Sequence, residues 1–230
     1  MRALFYNLIP PACLLCRQPC AGTFNLCQGC LKELPFIDHK ICQACSTALP
    51  APGICGQCLS KPPPWTHVNA VLHYRFPVPH LIQRFKYHQD TVAGQLLAEL
   101  FATRAANFTQ PDVLLAVPLS YGKLRKRGFN QATELTRFIS QQLKIPVLQN
   151  GVYRRQINEL IQSTLKSRRA RENNVKGVFH VKQHCLYQIM SKHIVILDDV
   201  MTSGATVAEL SRMLLERGAK QVDIWVLARA

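Results

Sequence analysis

Cysteine residues are concentrated near the amino-terminal end of this chain. Nine of the ten cysteines lie between Cys13 and Cys58. Eight of them form four CxxC pairs, namely Cys13/Cys16, Cys27/Cys30, Cys42/Cys45 and Cys55/Cys58. A gap of two residues lets both sulfurs of a pair face one tetrahedral ion at about 2.3 Å. The eight thiolates therefore predict two structural zinc ions, each held by four cysteines.

The spacing leaves the partners of each CxxC pair open. Neighbouring pairs would combine Cys13/Cys16 with Cys27/Cys30, whereas an interleaved arrangement would combine the first pair with the third. An iron–sulfur cluster is a second use for the same thiolates. Disulfides are typical of small secreted domains, and because nothing in the sequence directs secretion, we expect a cytoplasmic protein with reduced thiols. Cys20 is interpreted as a spare thiol near the first site.

Two adjacent acids form the second group that could do chemistry. Asp198 and Asp199 follow the run His193–Leu197, which has the apolar character of a buried strand. Two carboxylates at the end of a strand can accept hydrogen bonds from a diol or from metal-bound water. The alternative interpretation is that Asp198 caps the following helix and that Asp199 is solvated.

The residues after the acid pair suit a phosphate group. They include five small residues, namely Thr202, Ser203, Gly204, Ala205 and Thr206, whose size lets backbone N–H groups approach an anion. The helix predicted to begin here carries about half a positive charge at its amino terminus, which favours phosphate. The segment lacks the pattern of a nucleoside-triphosphate P-loop. It therefore predicts a site for a sugar phosphate.

A third segment concentrates positive charge. Four of the five residues from Lys123 to Arg127 are Lys or Arg, and they follow the apolar run Asp112–Pro118. We expect these cations to bind a phosphate-bearing part of the ligand. Arg127 and Gly128 are best placed, because a flexible turn would bring a guanidinium and the backbone together.

Composition sets further limits on the class of protein. Lys and Arg number 28 against 13 Asp and Glu, which gives a net charge of +15. This excess favours phosphate-bearing partners, either nucleic acids or nucleotide-like substrates, although a basic surface can also serve solubility alone. Hydrophobic residues make up 48% of the chain, which excludes wholesale disorder. No apolar run approaches the roughly 18 residues of a membrane-spanning helix.

A proline-rich connector divides the chain. Three consecutive prolines within Ser60–Trp65 cannot continue a helix or a central strand. We therefore predict a zinc-binding domain over residues 1–61 and a second domain over residues 62–230. The first region has little periodic apolar pattern, so metal must replace the missing hydrophobic core.

The second domain alternates strand and helix patterns. The predicted strands are His67–Arg75, Asp112–Pro118, Val152–Arg155, His193–Leu197 and Val222–Ala228. The predicted helices are His80–His88, Thr91–Asn107, Asn130–Leu143 and Ala205–Arg217, with Ser163–Asn173 as a charged helix or a mobile loop. This order indicates an α/β fold with a parallel, doubly wound sheet and flanking helices. Such sheets bind ligands beyond the carboxyl ends of their strands, where the acid pair and the basic segment both lie.

Three motifs resemble known proteins. The strand, acid pair and Thr/Gly-rich turn of His193–Thr206 resemble the phosphoribosyl-pyrophosphate (PRPP) signature of type I phosphoribosyltransferases. The run Pro118–Gln131, with its Arg-x-Arg-Gly-Phe-Asn-Gln sequence, and the cysteine cluster look like the hallmark of the ComF/GntX family, named for bacterial competence for DNA uptake. The family's third motif is matched by Gln162, Leu165, Arg171, Asn174, Gly177 and Phe179. Asn158–Glu159 departs from the Thr-Pro-type approach to that motif, which leaves the loop geometry open.

The resemblance implies a type I phosphoribosyltransferase fold behind a double zinc ribbon. Asp198 and Asp199 would hold the ribose hydroxyls of PRPP, and Thr202–Thr206 would cradle its 5-phosphate. The implied pyrophosphate contacts are Leu119, Ser120, Arg127 and Gly128, assisted by Mg²⁺ bound mainly through the ligand's oxygens. The implied catalytic residues are Asp198, Asp199 and Arg127.

The family's connection to natural transformation implies a function. It suggests a PRPP-binding protein that handles incoming single-stranded DNA in the cytoplasm, with other competence or DNA-processing proteins as partners. Two other functions fit the same motifs. One is an active phosphoribosyltransferase of nucleotide or amine metabolism, in which Mg²⁺ and an arginine would stabilise the departing pyrophosphate. The other is a regulator that senses PRPP without turnover.

Several nearby residues have two interpretations each. The basic stretch Arg154–Lys182 could close over the site, track a DNA backbone or form a solvated face. Lys86 could face the pyrophosphate or the solvent. The aromatic residues Phe85, Tyr87 and Phe129 could stack on bases or belong to the core.

Overall fold

The computed structural model describes residues 12–20, 25–88, 90–154 and 177–230. Its cysteine-rich region contains two short helices, α1 (Gln28–Lys32) and α2 (Gly56–Ser60). Antiparallel bridges at Ala12–Pro19 and Ile41–Ala48 close two hairpins. Each CxxC pair therefore lies either in a hairpin or at the start of a short helix, which is the local geometry that a zinc ribbon uses.

Two sheets organise the rest of the chain. The strands are β1 (Val68–His73), β2 (Val113–Ala116), β3 (Val152–Arg154), β4 (Phe179–Val181), β5 (His193–Met201) and β6 (Gln221–Arg229). A parallel sheet has the spatial order β1-β6-β5-β2, and β3 pairs with β4 in an antiparallel hairpin. The segment Pro146–Leu148 extends the parallel sheet beyond β2 through two backbone hydrogen bonds of 2.8 Å to Leu114. The predicted parallel α/β fold is confirmed.

Helices cover both faces of the parallel sheet. They are α3 (Val78–His88), α4 (Thr91–Ala105), α5 (Tyr121–Arg127), α6 (Gln131–Leu143) and α7 (Ala205–Glu216), with a 3₁₀ helix at Gln183–Gln188. Side chains of β5 and β6 alternate between two cores. Leu197 and Trp225 pack in the core that contains residues of α3 and α4, whereas Ile196 and Ile224 pack in the core that contains α7. This period of two is expected for strands buried on both faces.

Strand β5 differs from the sequence-based prediction in its length. It continues to Met201, four residues beyond the predicted end at Leu197. The reason is that β6 is equally long and supplies parallel partners as far as Arg229. The acid pair therefore lies within a strand and not after it.

The basic segment also differs from its prediction. The sequence predicts a flexible turn at Arg127 and Gly128, but the structure forms helix α5 up to Arg127. Gly128 ends this helix in the left-handed region, with φ 80°, a conformation that glycine adopts without steric cost. The guanidinium of Arg127 is therefore presented by the last turn of a helix.

Some predictions lie outside the described residues. The predicted helix or loop Ser163–Asn173 and most of the motif that begins at Gln162 are among them, and the basic stretch is described only at its two ends. The predicted boundary between residues 61 and 62 falls in a connector without helix or strand, between α2 and β1. Within the described ranges, no helix combines the length and apolar character needed to cross a membrane.

Candidate functional site

The cysteines form two compact groups of four. One group is Cys13, Cys16, Cys27 and Cys30, and the other is Cys42, Cys45, Cys55 and Cys58, with all sulfurs of a group within 4.8 Å of one another. The sulfurs of Cys16 and Cys27 are 3.6 Å apart, and those of Cys45 and Cys55 are 3.8 Å apart. Ligands at about 2.3 Å from a tetrahedral zinc ion would be about 3.8 Å apart. Neighbouring CxxC pairs therefore form each group of four, as in the first of the two predicted arrangements. The interleaved arrangement is wrong.

The electrostatics of the two groups fit a divalent cation. Burial opposes ionisation of Cys13 and Cys45, but hydrogen bonds from nearby groups prevail and lower the pKa of each thiol to about 6. Burial and the neighbouring sulfurs instead raise the pKa of Cys30 and Cys58. Four thiolates so close together require a positive ion between them, and an all-cysteine set is closed to substrate. The donor sets therefore fit structural zinc. Cys20 belongs to neither group and is buried in the hydrophobic core.

The acid pair is positioned by β5 and contacted by α3. Asp199 is 7% exposed, and its Oδ2 lies 2.6 Å from Nζ of Lys86. The backbone N–H of Asp199 donates a 2.9 Å hydrogen bond to Oδ1 of Asp198. Burial and the adjacent Asp199 raise the pKa of Asp198 to about 7. The solvated, helix-capping interpretation of the pair is therefore wrong, and Lys86 faces an acid and not open solvent.

Further cations surround the acid pair. Lys123 is exposed as a residue, but partial desolvation lowers its pKa, and the positive charges of Arg154, Arg127 and Lys86 lower it further. The negative charge of Asp198 acts in the opposite direction. These four cations from α3, α5 and β3 are therefore close enough to act on one another beside the acid pair. Their charge exceeds that of the two acids, so the site favours an anionic ligand.

The predicted pyrophosphate residues lie beyond the end of β2. Leu119 and Ser120 precede α5, and Ser120 is its amino-terminal cap residue. Nη1 of Arg127 donates a 2.9 Å hydrogen bond to Oε1 of Gln131. The guanidinium of Arg127 also lies 5.5 Å from the centre of the Tyr87 ring. Because β2 and β5 are neighbours, these residues share one edge of the sheet with the acid pair. The structure brings the two predicted segments together.

The predicted phosphate turn connects β5 to α7. Gly204 is the amino-terminal cap of α7 and has a φ of 75°. A Cβ at this position would lie 2.7 Å from Cε of Met201 and 3.1 Å from the ring of Trp65. Both the backbone conformation and the close contact therefore require glycine. Thr202, Ser203, Ala205 and Thr206 complete the turn, at the positive end of a helix of 12 residues.

The second zinc ribbon packs directly against this turn. Nε1 of Trp65 donates a 2.7 Å hydrogen bond to the carbonyl of Ala44. The guanidinium of Arg229 donates to the carbonyl of Cys45 at 2.8 Å and to Oγ1 of Thr47 at 2.7 Å. The same guanidinium donates to the carbonyls of Met201, at 2.9 Å, and Thr202. The ribbon and the turn therefore share one arginine.

Sequence reasoning missed this connection. Arg229 follows the last predicted strand and belongs to no motif, and only the proline run beside Trp65 draws attention to that tryptophan. Lys123 lies in the recognised basic run, but the run alone does not distinguish it from its neighbours. The assignment of these roles needs the packing of β5, β6 and the ribbon.

The aromatic residues near the site have different environments. Phe85 is 2% exposed and packs edge-on against Phe129, with 5.6 Å between ring centres. These two rings belong to or pack against the core, which is the second of their two predicted interpretations. Tyr87 is 60% exposed and lies beside Arg127, so its ring is the most exposed of the three.

Two domain families match the chain. The double zinc ribbon domain matches residues 4–59, and the phosphoribosyl transferase domain matches residues 89–230. The DNA utilization protein YhgH of Shigella flexneri is 33% identical over 96% of this chain and 98% of its own length. Competence protein F of Haemophilus influenzae is 32% identical over 98% of this chain and 99% of its own. The solved glutamine PRPP amidotransferase of B. subtilis is 20% identical over 58% of this chain and 25% of its own, with a TM-score of 0.39.

Proposed function

Because this chain belongs to the phosphoribosyl transferase domain family and to the family of competence protein F and DNA utilization protein YhgH, we propose that it binds PRPP with Mg²⁺ and handles single-stranded DNA in natural transformation. The binding site is the sheet edge formed by the ends of β2 and β5. The relatives' names, one referring to competence and the other to use of DNA, support the biological part of the proposal. We place this function in the cytoplasm.

One observation carries the proposal of PRPP binding. Four cations surround a pair of acids beside the amino terminus of α7. PRPP has the complementary pattern, since it carries a phosphate, a diol and a pyrophosphate on one ribose. A simple anion would offer the acids no hydroxyl groups, whereas a neutral sugar would offer the four cations no negative charge. The mixed charge of the site therefore fits a sugar that carries phosphates at both ends.

The residues then take distinct roles. Asp198 and Asp199 accept hydrogen bonds from the ribose hydroxyls, and the turn Thr202–Thr206 receives the 5-phosphate. The pyrophosphate is bound by backbone and side-chain donors of Leu119, Ser120, Arg127 and Gly128. The carboxylates and the ligand's oxygens form the kind of hard donor set that Mg²⁺ prefers, and the ion would neutralise part of the pyrophosphate charge.

The proposed DNA function is supported by charge. The net charge of +15 exceeds what one PRPP molecule can neutralise, and Arg125 and Lys126 on α5 are exposed. Binding through phosphates releases counterions, so the affinity must fall as salt rises. A DNA affinity that is absent at low salt, or that is insensitive to salt, would reject this part of the proposal.

A calorimetric titration tests the PRPP site. We expect PRPP to bind only when Mg²⁺ is present. The same titration, repeated in the presence of single-stranded DNA, measures the coupling between the two ligands. Lack of PRPP binding with Mg²⁺ would refute the proposal. Release of pyrophosphate with one base or amine in a panel of acceptors would instead identify an active transferase. A DNA affinity that changes with PRPP, without turnover, would identify a regulator.

A further inference from the structure

A wide groove lies beside the proposed PRPP site. It has a volume of about 870 Å³ and is lined by the end of β2, by α5 and α6, and by the segment Val147–Arg154. We propose that this groove holds a segment of single-stranded DNA, with bases stacked on tyrosine rings and phosphates bound by arginines. The inference rests on the proposed function and gives its DNA partner a location on the protein.

Two tyrosines give the groove its base-binding character. Tyr121 is 60% exposed and Tyr153 is 47% exposed, and both line the groove. The ring of Tyr153 stacks on His180 at 5.6 Å between centres, with 26° between planes, so one ring face is supported from behind. An exposed and supported ring is a suitable platform for a base, because every base offers a π face regardless of its sequence.

The charges in the groove are complementary to a polyanion. Arg137 and Arg154 line it, and Glu134 is the single acid among the described lining residues. Oε2 of Glu134 already accepts a 2.9 Å hydrogen bond from Nη2 of Arg137, which orients that guanidinium on the surface of α6. Polar amides of Gln149 and Asn150 also line the groove, beside apolar side chains such as that of Val147. Aromatic platforms together with cations are the combination that single-strand grooves use.

The groove is continuous with the PRPP site. Leu119, Tyr121 and Leu124 line the groove and belong to the segment assigned to pyrophosphate. Arg154 also acts electrostatically on Lys123, so the two cation sets meet. A strand in the groove would therefore approach the pyrophosphate end of bound PRPP, and we expect the two ligands to influence each other's affinity.

The test is a filter-binding titration of labelled oligothymidylate with the full chain. We expect Tyr153→Ala to weaken binding roughly 5- to 100-fold, the loss typical of one stacking ring. Tyr153→Phe keeps the ring and should bind within about twofold of the unsubstituted protein. Tyr187→Ala is the control, because Tyr187 is 71% exposed and lies outside the groove lining, and it should leave binding unchanged.

A second variant tests the phosphate contacts. Arg137→Gln should reduce the slope of log affinity against log salt by about 0.7, the value for one phosphate contact on a single strand. PRPP titration and the midpoint of thermal unfolding of each variant provide the controls for fold and for the neighbouring site. Both should remain close to those of the unsubstituted protein.

The outcomes separate this inference from the proposed function. If oligothymidylate binds the Tyr153→Ala and Arg137→Gln variants as tightly as the unsubstituted protein, the groove is not the DNA site. The proposed DNA function would still stand. If thymidine monophosphate binds as tightly as the oligonucleotide and depends on Tyr153, the groove is an acceptor pocket and the inference is wrong. If the unsubstituted protein binds no oligonucleotide, both the inference and the DNA part of the proposed function fail, whereas PRPP binding is judged separately.

Discussion

At the scale of single residues, the acid pair is held by its own cation. Lys86 contacts Asp199 at 2.6 Å, so the carboxylate that we assign to a ribose hydroxyl already has a partner. A ligand must share that carboxylate or draw Lys86 toward its pyrophosphate. If Lys86 moved toward the pyrophosphate, Asp199 would accept a hydrogen bond from the ribose hydroxyl. The ammonium of Lys86 would then donate to a phosphate oxygen, so no buried charge would be left unpaired.

Asp199→Asn should weaken the binding of PRPP with Mg²⁺ roughly tenfold or more, because a hydrogen bond to a charged acceptor is lost. The fold should persist, since the amide has the same shape. Calorimetry measures the affinity and circular dichroism the fold. Glu99→Gln on α4, which neutralises an acid outside the site, is the control, and equal affinities for both variants would remove Asp199 from the site.

The raised pKa of Asp198, at about 7, predicts two opposite pH effects. The folded state holds this proton more tightly than the unfolded state does, so its contribution to stability is lost as pH rises from about 4 to about 7. PRPP affinity should increase from about pH 6 to about pH 8, because ionised Asp198 accepts hydroxyl hydrogen bonds more strongly. Burial and the adjacent Asp199 raise the pKa of this carboxyl, and the positive charge of Lys86 opposes them. Lys123 also interacts electrostatically with Asp198.

The test of this pH effect compares the unsubstituted protein with Asp198→Asn. Unfolding midpoints and PRPP titrations are measured across the same pH range. The difference between the two proteins isolates Asp198, because the other titrating groups are common to both. Parallel pH profiles for the two proteins would show that Asp198 does not titrate in this range.

The sequence was sufficient to select the residues that a short motif contains, but it was not sufficient to select their partners. Asp198, Asp199 and Arg127 lie in local patterns with a chemical meaning. Lys86 meets Asp199 because α3 and β5 contribute to the same core, and that contact joins residues more than a hundred positions apart. Local pattern therefore predicted the acids, and tertiary packing decided their charge environment.

At the scale of elements, the turn between β5 and α7 depends on one glycine. Its positive φ and its contact with Trp65 both exclude a side chain. The start of the turn is fixed, because β5 remains paired with β6 up to Met201. The position of the proposed phosphate turn is therefore set by the strand before it and by Trp65, which packs against it.

Gly204→Ala should lower the free energy of unfolding by about 1–3 kcal/mol and weaken PRPP binding, because the added Cβ strains the backbone and meets Met201 and Trp65. Urea unfolding and calorimetry measure the two effects. Gly56→Ala is a matched control, since a Cβ there would have nothing within 4 Å and should change stability by less than about 0.5 kcal/mol. Unchanged affinity in Gly204→Ala would argue against phosphate binding at the turn.

Cys27→Ser should reduce the metal content from two zinc ions to one per chain, because each group of four cysteines forms a separate site. The four-ligand site loses a thiolate that serine does not replace. Metal analysis by mass spectrometry measures the content. Cys20→Ser should retain both ions, since Cys20 belongs to neither group, and two ions in Cys27→Ser would contradict the assignment.

Sequence patterns did not predict the end of β5 or the way in which the four CxxC pairs combine. Apolar periodicity identified the parallel sheet, but it ended β5 at Leu197 because the following acids resemble a loop. Pairing with β6 overrides that composition and extends the strand. The four CxxC pairs were equally evident, yet their combination depends on how the hairpins and helices fold together, which spacing does not specify.

At the scale of the whole molecule, the ribbon and the sheet domain contact each other at the proposed PRPP site. Arg229 joins Cys45 and Thr47 of the ribbon to Met201 and Thr202 of the turn. A further contact links Ser46 Oγ to the carbonyl of Val68, at 2.6 Å. The zinc module therefore supports the turn in addition to maintaining its own fold.

Arg229→Gln should weaken PRPP binding several-fold and destabilise the protein by roughly 1–3 kcal/mol, because carbonyls of the ribbon and the turn lose their shared donor. Zinc content should remain at two ions per chain, which separates this effect from loss of metal. Arg217→Gln, at an exposed position, is the matched control. Full PRPP affinity in Arg229→Gln would show that the ribbon does not support the turn.

The position of Trp65 has a practical consequence. The chain contains two tryptophans, and Trp225 is fully enclosed in the sheet core while Trp65 lies against Gly204. The indole of Trp65 is thus a native optical reporter at the proposed phosphate turn, with Trp225 as a constant background emitter. Occupancy of the turn becomes observable by intrinsic emission, without attaching a dye, and Trp65→Phe removes the signal.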